Sequence, residues 1–317
     1  MSFPTDLLGR ITDIQATVPT VQLKLTRVGV KNLKLNLHIL SEAGSLSLIP
    51  TIDMFVDLPS DKRGVHLSRD PESLHEIVQE QDSFKASRVE DYCETLARRL
   101  LEKHNYSNKA EVRLRSDYVI VRKPQLGKPA QEPCKIFASV IALRKGGDVS
   151  VERFVGASMV GFTACPCTQN LLQALVEEKL HQLSYEEDDV KRIVKSIPLA
   201  THTQRATGTI LIQIPKGPSV NIEDIVDIIE DSMSGKTYAV LKRPAEATVI
   251  MKAHEKTRFT EDVVREMSKA LVMKYPDFPN DLRVLAQVFS QESVHKHDII
   301  AEKVSTFGEI KQEINSK

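Results

Sequence analysis

Three short segments hold the residue types that bind metals, carry protons or attack electrophiles. The first is Thr163-Ala164-Cys165-Pro166-Cys167, where an alternating run gives way to a helical one. A helix N-terminus favours the thiolate, the form of cysteine that binds metal. Two small apolar residues at a packed corner would look the same, and Cys-x-Cys alone does not choose between them. The second segment is Thr201-His202-Thr203-Gln204-Arg205, just before a strand; a lone loop histidine is ordinarily a surface residue. The third, Glu292-Ser293-Val294-His295-Lys296-His297, follows a strand. Its histidines at i and i+2 point the same way if that strand continues, which suits a metal or a proton relay.

Two glutamates and several arginines add to this set. Glu246 follows Lys242-Arg243-Pro244, and Glu261 follows Thr260 at a helix start. Acidic residues in a first helical turn are expected on dipole grounds alone. Arg63-Gly64-Val65-His66-Leu67-Ser68-Arg69 carries two arginines whose forked donors suit phosphate. The other histidines, His38, His75, His104, His181 and His254, have no comparable company in sequence.

The elements that must position these residues follow from periodicity. Residues 1–20 show no convincing period and read as a mobile arm. From Val21 the pattern alternates as a strand does, and a second strand fits 45–58, ending at Pro59. Val89, Cys93, Leu96 and Leu100 share one helical face, which makes Cys93 a core residue. Strands return at 112–122 and 136–143. Gly146-Gly147-Asp148 then forms a hairpin turn into a strand over 149–162. Helices fit 170–180 and 188–197, a strand fits 208–214 before Pro215-Lys216-Gly217-Pro218, and Asn221 caps a helix bearing Ile222, Ile225, Val226 and Ile229. A helix follows Thr260, and 282–289 alternates again. Strand pairs followed by helices, twice over, predict an α+β chain of two similar halves, roughly 21–130 and 131–317.

Composition narrows the function classes. The 43 basic and 43 acidic residues cancel, which removes any whole-chain reason to expect nucleic acid or an acidic membrane as partner. A local basic pocket for a small anion stays open. No apolar run approaches the roughly 18 residues needed to span a bilayer. Four cysteines are too few and too unevenly spaced for a disulfide framework, so a reducing, cytoplasmic setting is expected.

Taken in order, these segments resemble the type IB GTP cyclohydrolases. The matching pieces are Val56-Asp57-Leu58-Pro59 with the Arg63–Arg69 segment, Cys165-Pro166-Cys167, His202-Thr203-Gln204-Arg205, Lys242-Arg243-Pro244-Ala245-Glu246, Phe259-Thr260-Glu261-Asp262, and the segment from Glu292 to His297. The resemblance runs over about 21–297. It implies a bimodular tunnelling fold, antiparallel sheets with helices on one side, whose barrel is completed by oligomerisation. It also implies a homo-oligomer, dimer or tetramer, with active sites between subunits. Cys165, His202 and Glu246 match the family's metal-binding positions, and Glu261 the carboxylate that holds the guanine base. His295 matches the histidine beside the metal, as ligand or acid–base group, and Cys167 the second active-site thiol. His297 is a further proton carrier, and Arg63, Arg69 or Arg205 would meet the triphosphate. Ala245 stands where the family more often has an acidic residue.

A helical insertion near 171–198 is similar to the archaeal branch, whose product is 7,8-dihydroneopterin 2′,3′-cyclic phosphate. Other members release 7,8-dihydroneopterin triphosphate. Cys, His and Glu together suit Fe(II), Zn(II) or Mn(II), and the archaeal resemblance favours Fe(II). Two other readings use the same residues. A tunnelling-fold nitrile reductase would use Cys165 or Cys167 as a covalent nucleophile. A non-catalytic protein would close its thiols and histidines around a structural zinc.

Overall fold

The computed structural model describes residues 13–41, 44–79, 88–124, 127–217 and 220–316. The chain forms two compact units, the first from Met1–Ser116 with Ala138–Phe154 and the second from Asp117–Phe137 with Val155–Lys317. The first holds β1 (Leu25–Lys34), the paired β2 (Leu37–Ser41) and β3 (Gly44–Leu48), β4 (Thr51–Leu58), α1 (Arg69–Gln79) and α2 (Val89–Lys103). Three long strands, β5 (Lys109–Arg122), β6 (Ala130–Lys145) and β7 (Asp148–Ala164), give part of their length to each unit. Gly146 and Gly147, both with positive φ, make the tight turn between β6 and β7.

In the first unit β4 pairs antiparallel with β1 and β5. Alternation sends Ile52, Met54 and Val56 of β4 and Ala110, Val112 and Leu114 of β5 into the core. Helix α2 buries Val89, Tyr92, Cys93, Leu96, Ala97, Leu100 and Leu101, a stripe at the 3.6-residue period, and contacts β4. Each leucine so removed from water contributes about 1.5–3 kcal/mol.

The other face of β4 and β5 is a lattice of charge. Glu111 is almost wholly buried and takes hydrogen bonds from Arg27 Nε at 3.1 Å, Arg27 Nη2 at 2.7 Å and Arg113 Nε at 2.6 Å. Both guanidinium groups lie over the Phe55 ring.

The second unit adds α3 (Pro166–Gln182), α4 (Glu187–Ser196), β8 (Thr203–Ile214), α5 (Ile222–Ser232), β9 (Gly235–Lys236), α6 (Arg243–Glu255), α7 (Thr260–Lys274), β10 (Arg283–Gln291), β11 (Ile299–Thr306) and α8 (Phe307–Asn315). Strand β10 lies antiparallel between β8 and β11, with Val288 opposite Gly208 on one side and Ala301 on the other. Its inward residues Val284, Ala286 and Val288 meet Ile210 and Ile212 of β8 in a core that α5 and α7 close with Ile225, Ile229, Val263, Met267 and Leu271. Each unit is thus α+β, with antiparallel strands and helices. Strand β1 ends the strand order in the first and β11 ends it in the second, so the ladder is open in one chain. Among the described residues no helix is long and apolar enough to cross a membrane.

Three expectations from periodicity need correction. The alternation from Val21 becomes a paired strand only at Leu25, because the partner strand β4 ends at Leu58 before Pro59 and leaves nothing earlier to pair with; Val21, Leu23 and Leu25 are exposed. The run over 45–58 is two strands, broken at Ile49-Pro50, since proline has no N–H for the ladder. The helix after the cysteines begins at Pro166, not Asn170, because proline at N1 is preset for a first turn. Of the expected mobile arm, residues 1–12 lie outside the described residues; Ile14–Ala16 form a 3-10 turn, and the Gln15 and Thr17 carbonyls accept from Gly64 and Arg63 N–H.

Glu111 contributes to the acid response of the first unit. Burial opposes its ionisation, but the bonds and charges of Arg27 and Arg113 outweigh this and hold its carboxyl below the usual range. The contribution is therefore complete above the unfolded-state pKa and is lost as pH falls toward the folded one. Stability measured by denaturant titration should fall from about pH 5 downward, and Glu111→Gln should flatten that fall. An unchanged acid slope in the variant would remove Glu111 from it.

Candidate active site

Backbone hydrogen bonds gather at the end of β7. The N–H of Ala164 donates to Ser234 Oγ at 3.1 Å, and its carbonyl accepts from the N–H of Arg258 at 3.1 Å. The next N–H, that of Cys165, donates to the carbonyl of His202 at 3.2 Å. Cys165 and His202, 37 residues apart in sequence, are thereby neighbours along the backbone. Cys165 is the N-cap of α3 and makes no side-chain capping bond, so its sulfur is not consumed by the helix. Beside β7, Gly235 lies so close to the Phe162 ring that a Cβ there would sit 2.2 Å from it, which explains glycine at that position.

Gln169, one turn into α3, fixes the surroundings. Its buried amide Nε2 donates to the carbonyls of Leu199 at 2.8 Å and His254 at 2.7 Å, and its Oε1 accepts from Thr257 Oγ1 at 3.2 Å. Buried His254 adds a second tie, with Nε2 3.2 Å from the Thr201 carbonyl and Nδ1 2.8 Å from that of Ile250. The start of α3, the approach to β8 and the end of α6 are thus held together. Two buried hydroxyls beside the site residues, Thr163 Oγ1 and Thr201 Oγ1, have no hydrogen-bond partner among the described residues.

Around this centre the other side chains are accessible. Nδ1 of half-buried His202 lies 3.1 Å from Gln204 Oε1 and 3.5 Å from Ser293 Oγ, so the 292–298 loop reaches the same place. That loop is not a continuation of β10, which ends at Gln291. His295 and His297 are brought together by ring stacking at 5.2 Å and not by strand pleating. Arg205 is exposed on β8, opposite Gln291. Glu246, in the first turn of α6, is exposed. In the first turn of α7, Asp262 does the capping, accepting the N–H of Phe259 at 3.1 Å, which leaves exposed Glu261 free of that task.

Among the described residues no three His, Cys, Asp or Glu side chains converge as a ligand cluster. Arg63 and Arg69 belong to the first unit. Arg63 is exposed, while Arg69 Nη1 donates to the Lys103 carbonyl at 2.7 Å and so caps α2. The segment between them is anchored by the Tyr106 hydroxyl, which accepts from the His66 N–H at 3.4 Å. Tyr106 is held by Nδ1 of His104 at 2.8 Å, whose Nε2 meets Asp70 Oδ1 at 2.8 Å in full burial. His104 and His254 therefore do have company, and the partners Asp70 and Thr201 lie far off in sequence. Gln169 gave no sequence signal beyond its place one turn after Cys165.

A model of the family described as type I GTP cyclohydrolase folE2 matches residues 11–301. The chain belongs to this family. It is accordingly an enzyme, a GTP cyclohydrolase of pterin biosynthesis. It is similar to the protein named GTP cyclohydrolase MptA of Methanococcus aeolicus, 40% identical over 95% of this chain and 99% of that one. The protein of the same name from Methanocaldococcus jannaschii is 39% identical over 96% and 98%. Among solved structures the fold is similar to a uricase from Bacillus fastidious, with TM-score 0.51 and 8% identity over 91% of this chain and 95% of that chain. A uricase from Arthrobacter globiformis gives 0.50 and 7% over 91% and 96%. These two likenesses concern the fold alone and fit the tunnelling fold.

In this type I GTP cyclohydrolase the four thiols fall into two classes. Cys93 and Cys134 are buried, and burial pushes the Cys93 thiol far up and that of Cys134 to about 11. Cys165 is half-buried and Cys167 exposed. A chromogenic disulfide reagent should therefore label two thiols in the native protein and four after denaturation. Loss of one fast thiol in each of Cys165→Ser and Cys167→Ser should identify them; rapid labelling of Cys93 would contradict the assignment.

Proposed function

We propose that the chain opens the guanine ring of GTP at a divalent-metal centre and yields 7,8-dihydroneopterin 2′,3′-cyclic phosphate, formate and diphosphate. The observation that carries this reading is the Cys165 N–H to His202 carbonyl bond, which joins the backbones of a cysteine and a histidine that match the family's metal positions. Cys165, His202 and Glu246 would hold the ion, with His295 as a further ligand. The donor set fits: thiolate, imidazole and carboxylate suit Fe(II), Zn(II) or Mn(II), and the archaeal likeness favours Fe(II). The unpartnered hydroxyls of Thr163 and Thr201 flank this pair. When bound, the ion supplies Lewis acidity and lowers the pKa of water toward neutrality.

The chain's own residues account for the rest. Glu261 accepts the N1–H and 2-amino N–H of guanine, a paired charge-assisted contact that orients C8. His295 or His297 takes a proton from the water that adds to C8 and returns one to N9 as the C8–N9 bond breaks. Cys167 would be the second thiol of the site. Arg63, Arg69 or Arg205 would meet the triphosphate. A hydroxyl of the former ribose then attacks the α-phosphorus, and diphosphate leaves as the cyclic ester closes. The helices over 171–198 and the methanogen relatives of matching length support this product over the open triphosphate. The enzyme acts as a homo-oligomer in which a neighbouring subunit completes the ligand set, in a reducing cytoplasmic setting in keeping with four free thiols.

The test is anaerobic turnover of GTP with Fe(II), followed by mass spectrometry. A cyclic monophosphate pterin with equimolar formate and diphosphate is expected; triphosphate pterin alone would end the product assignment. Cys165→Ala, His202→Ala and Glu246→Ala should each lower bound metal and cut turnover by more than about 100-fold. Full metal and activity in any of them removes that residue from the site.

Glu261→Gln should separate base recognition from the ion. Metal content should stay at the wild-type level while KM for GTP rises about 10- to 100-fold, the worth of a charged hydrogen-bond pair. Unchanged KM in a folded variant would exclude the contact.

A further inference from the structure

The first unit contains a cavity of ≈ 340 Å³ lined by Lys24, Thr26, Asp57, Lys109, Arg144 and Lys145, among others. None of these residues has a part in the ring opening proposed above. Four cations and one carboxylate face this space in a chain whose total charges cancel.

The carboxylate is already committed. Asp57 Oδ1 accepts the N–H groups of Asn108 and Lys109 at 2.8 Å each, and Oδ2 lies 3.0 Å from Lys24 Nζ. Asp57 thus balances Lys24 and no more. Lys109 Nζ is 3.6 Å from Glu111, but both oxygens of that carboxylate are held more closely by Arg27 and Arg113. Arg144 donates only to neutral carbonyls, those of Leu101, Asn105 and Ser107, and keeps its full charge. Lys145 is exposed and has no ion pair among the described residues. Lys109, Arg144 and Lys145 therefore leave uncompensated positive charge around one cavity, a repulsion that an anion would relieve.

The donor type narrows the class of anion. The single guanidinium is turned onto carbonyls, so no free fork is left for a planar bidentate contact, whereas lysines meet phosphate as point charges. The remaining donors are ammonium groups on long stems and the Thr26 hydroxyl, which suit tetrahedral oxygens at several angles. The volume lies at the small end of ligand sites, about 300–1,000 Å³. We infer that this cavity is a binding site for a phosphate or diphosphate group. The inference stands on first-unit geometry and does not require the metal or product assignment.

The probe is inorganic diphosphate, titrated calorimetrically into the full chain at low and raised salt. Saturable binding that weakens with salt is expected, with a further loss of about tenfold for each lysine removed in Lys109→Gln and Lys145→Gln. Both side chains lie outside the core, and thermal melting should confirm that the variants remain folded. Cys165→Ala should bind diphosphate as the wild type does, which separates this site from the ring-opening residues. Diphosphate affinity equal in the wild type and the double lysine variant, or no saturable binding by the wild type, overturns the proposal. The kinetics of the double variant identify the source of the anion. A raised KM for GTP at constant kcat assigns the cavity to the nucleotide's phosphates, and an unchanged KM with lost diphosphate affinity assigns it to the free anion.

Discussion

The last N–H groups of β7 have to find acceptors once the strand runs out, and the partners they find determine the site. Ala164 and Cys165 have left the ladder, and a buried N–H without an acceptor costs about 1–3 kcal/mol. Ser234 and His202 supply those acceptors from two separate segments, and Arg258 returns a bond to Ala164. Satisfying the backbone therefore also joins the Cys165 and His202 segments. Pro166 continues the same logic, since it starts α3 without adding an N–H that would need a partner.

The two units use charge in different ways. In the first, buried carboxylates are met by cations, Glu111 by Arg27 and Arg113 and Asp57 by Lys24. Such groups hold strands in register because a lone carboxylate there would be untenable. In the second, the accessible site side chains Glu246, Glu261, His295 and His297 stand at helix starts and in a loop on a framework of buried apolar residues. Groups in these places can change partners during a reaction without loosening the core.

Much of this was legible in the sequence because local pattern and tertiary burial agree there. The stripe from Val89 to Leu100, the capping Asn221 and the Gly146-Gly147 turn each state their own structure within a few residues. Alternation passes straight through Ile49-Pro50, so 45–58 reads as one strand, and only pairing shows the break. His104, His254 and Gln169 were invisible for a different reason. Their partners Asp70, Thr201 and Leu199 lie 30 or more residues away, and no local period encodes such contacts. The motif residues were readable as a family resemblance, while the means that brings His202 to Cys165 was not.

The Gln169 clamp also bears on how the molecule ages. All three hydrogen-bonding functions of this amide are in use, two donors toward carbonyls and one acceptor toward a hydroxyl. Hydrolytic deamidation would replace the NH₂ with an oxygen and set a carboxylate against the carbonyls of Leu199 and His254. A change too small to alter the shape of the side chain would turn two attractions into two repulsions at the root of α3. Burial of the amide, which keeps water from it, is then also what preserves the centre over the lifetime of the protein.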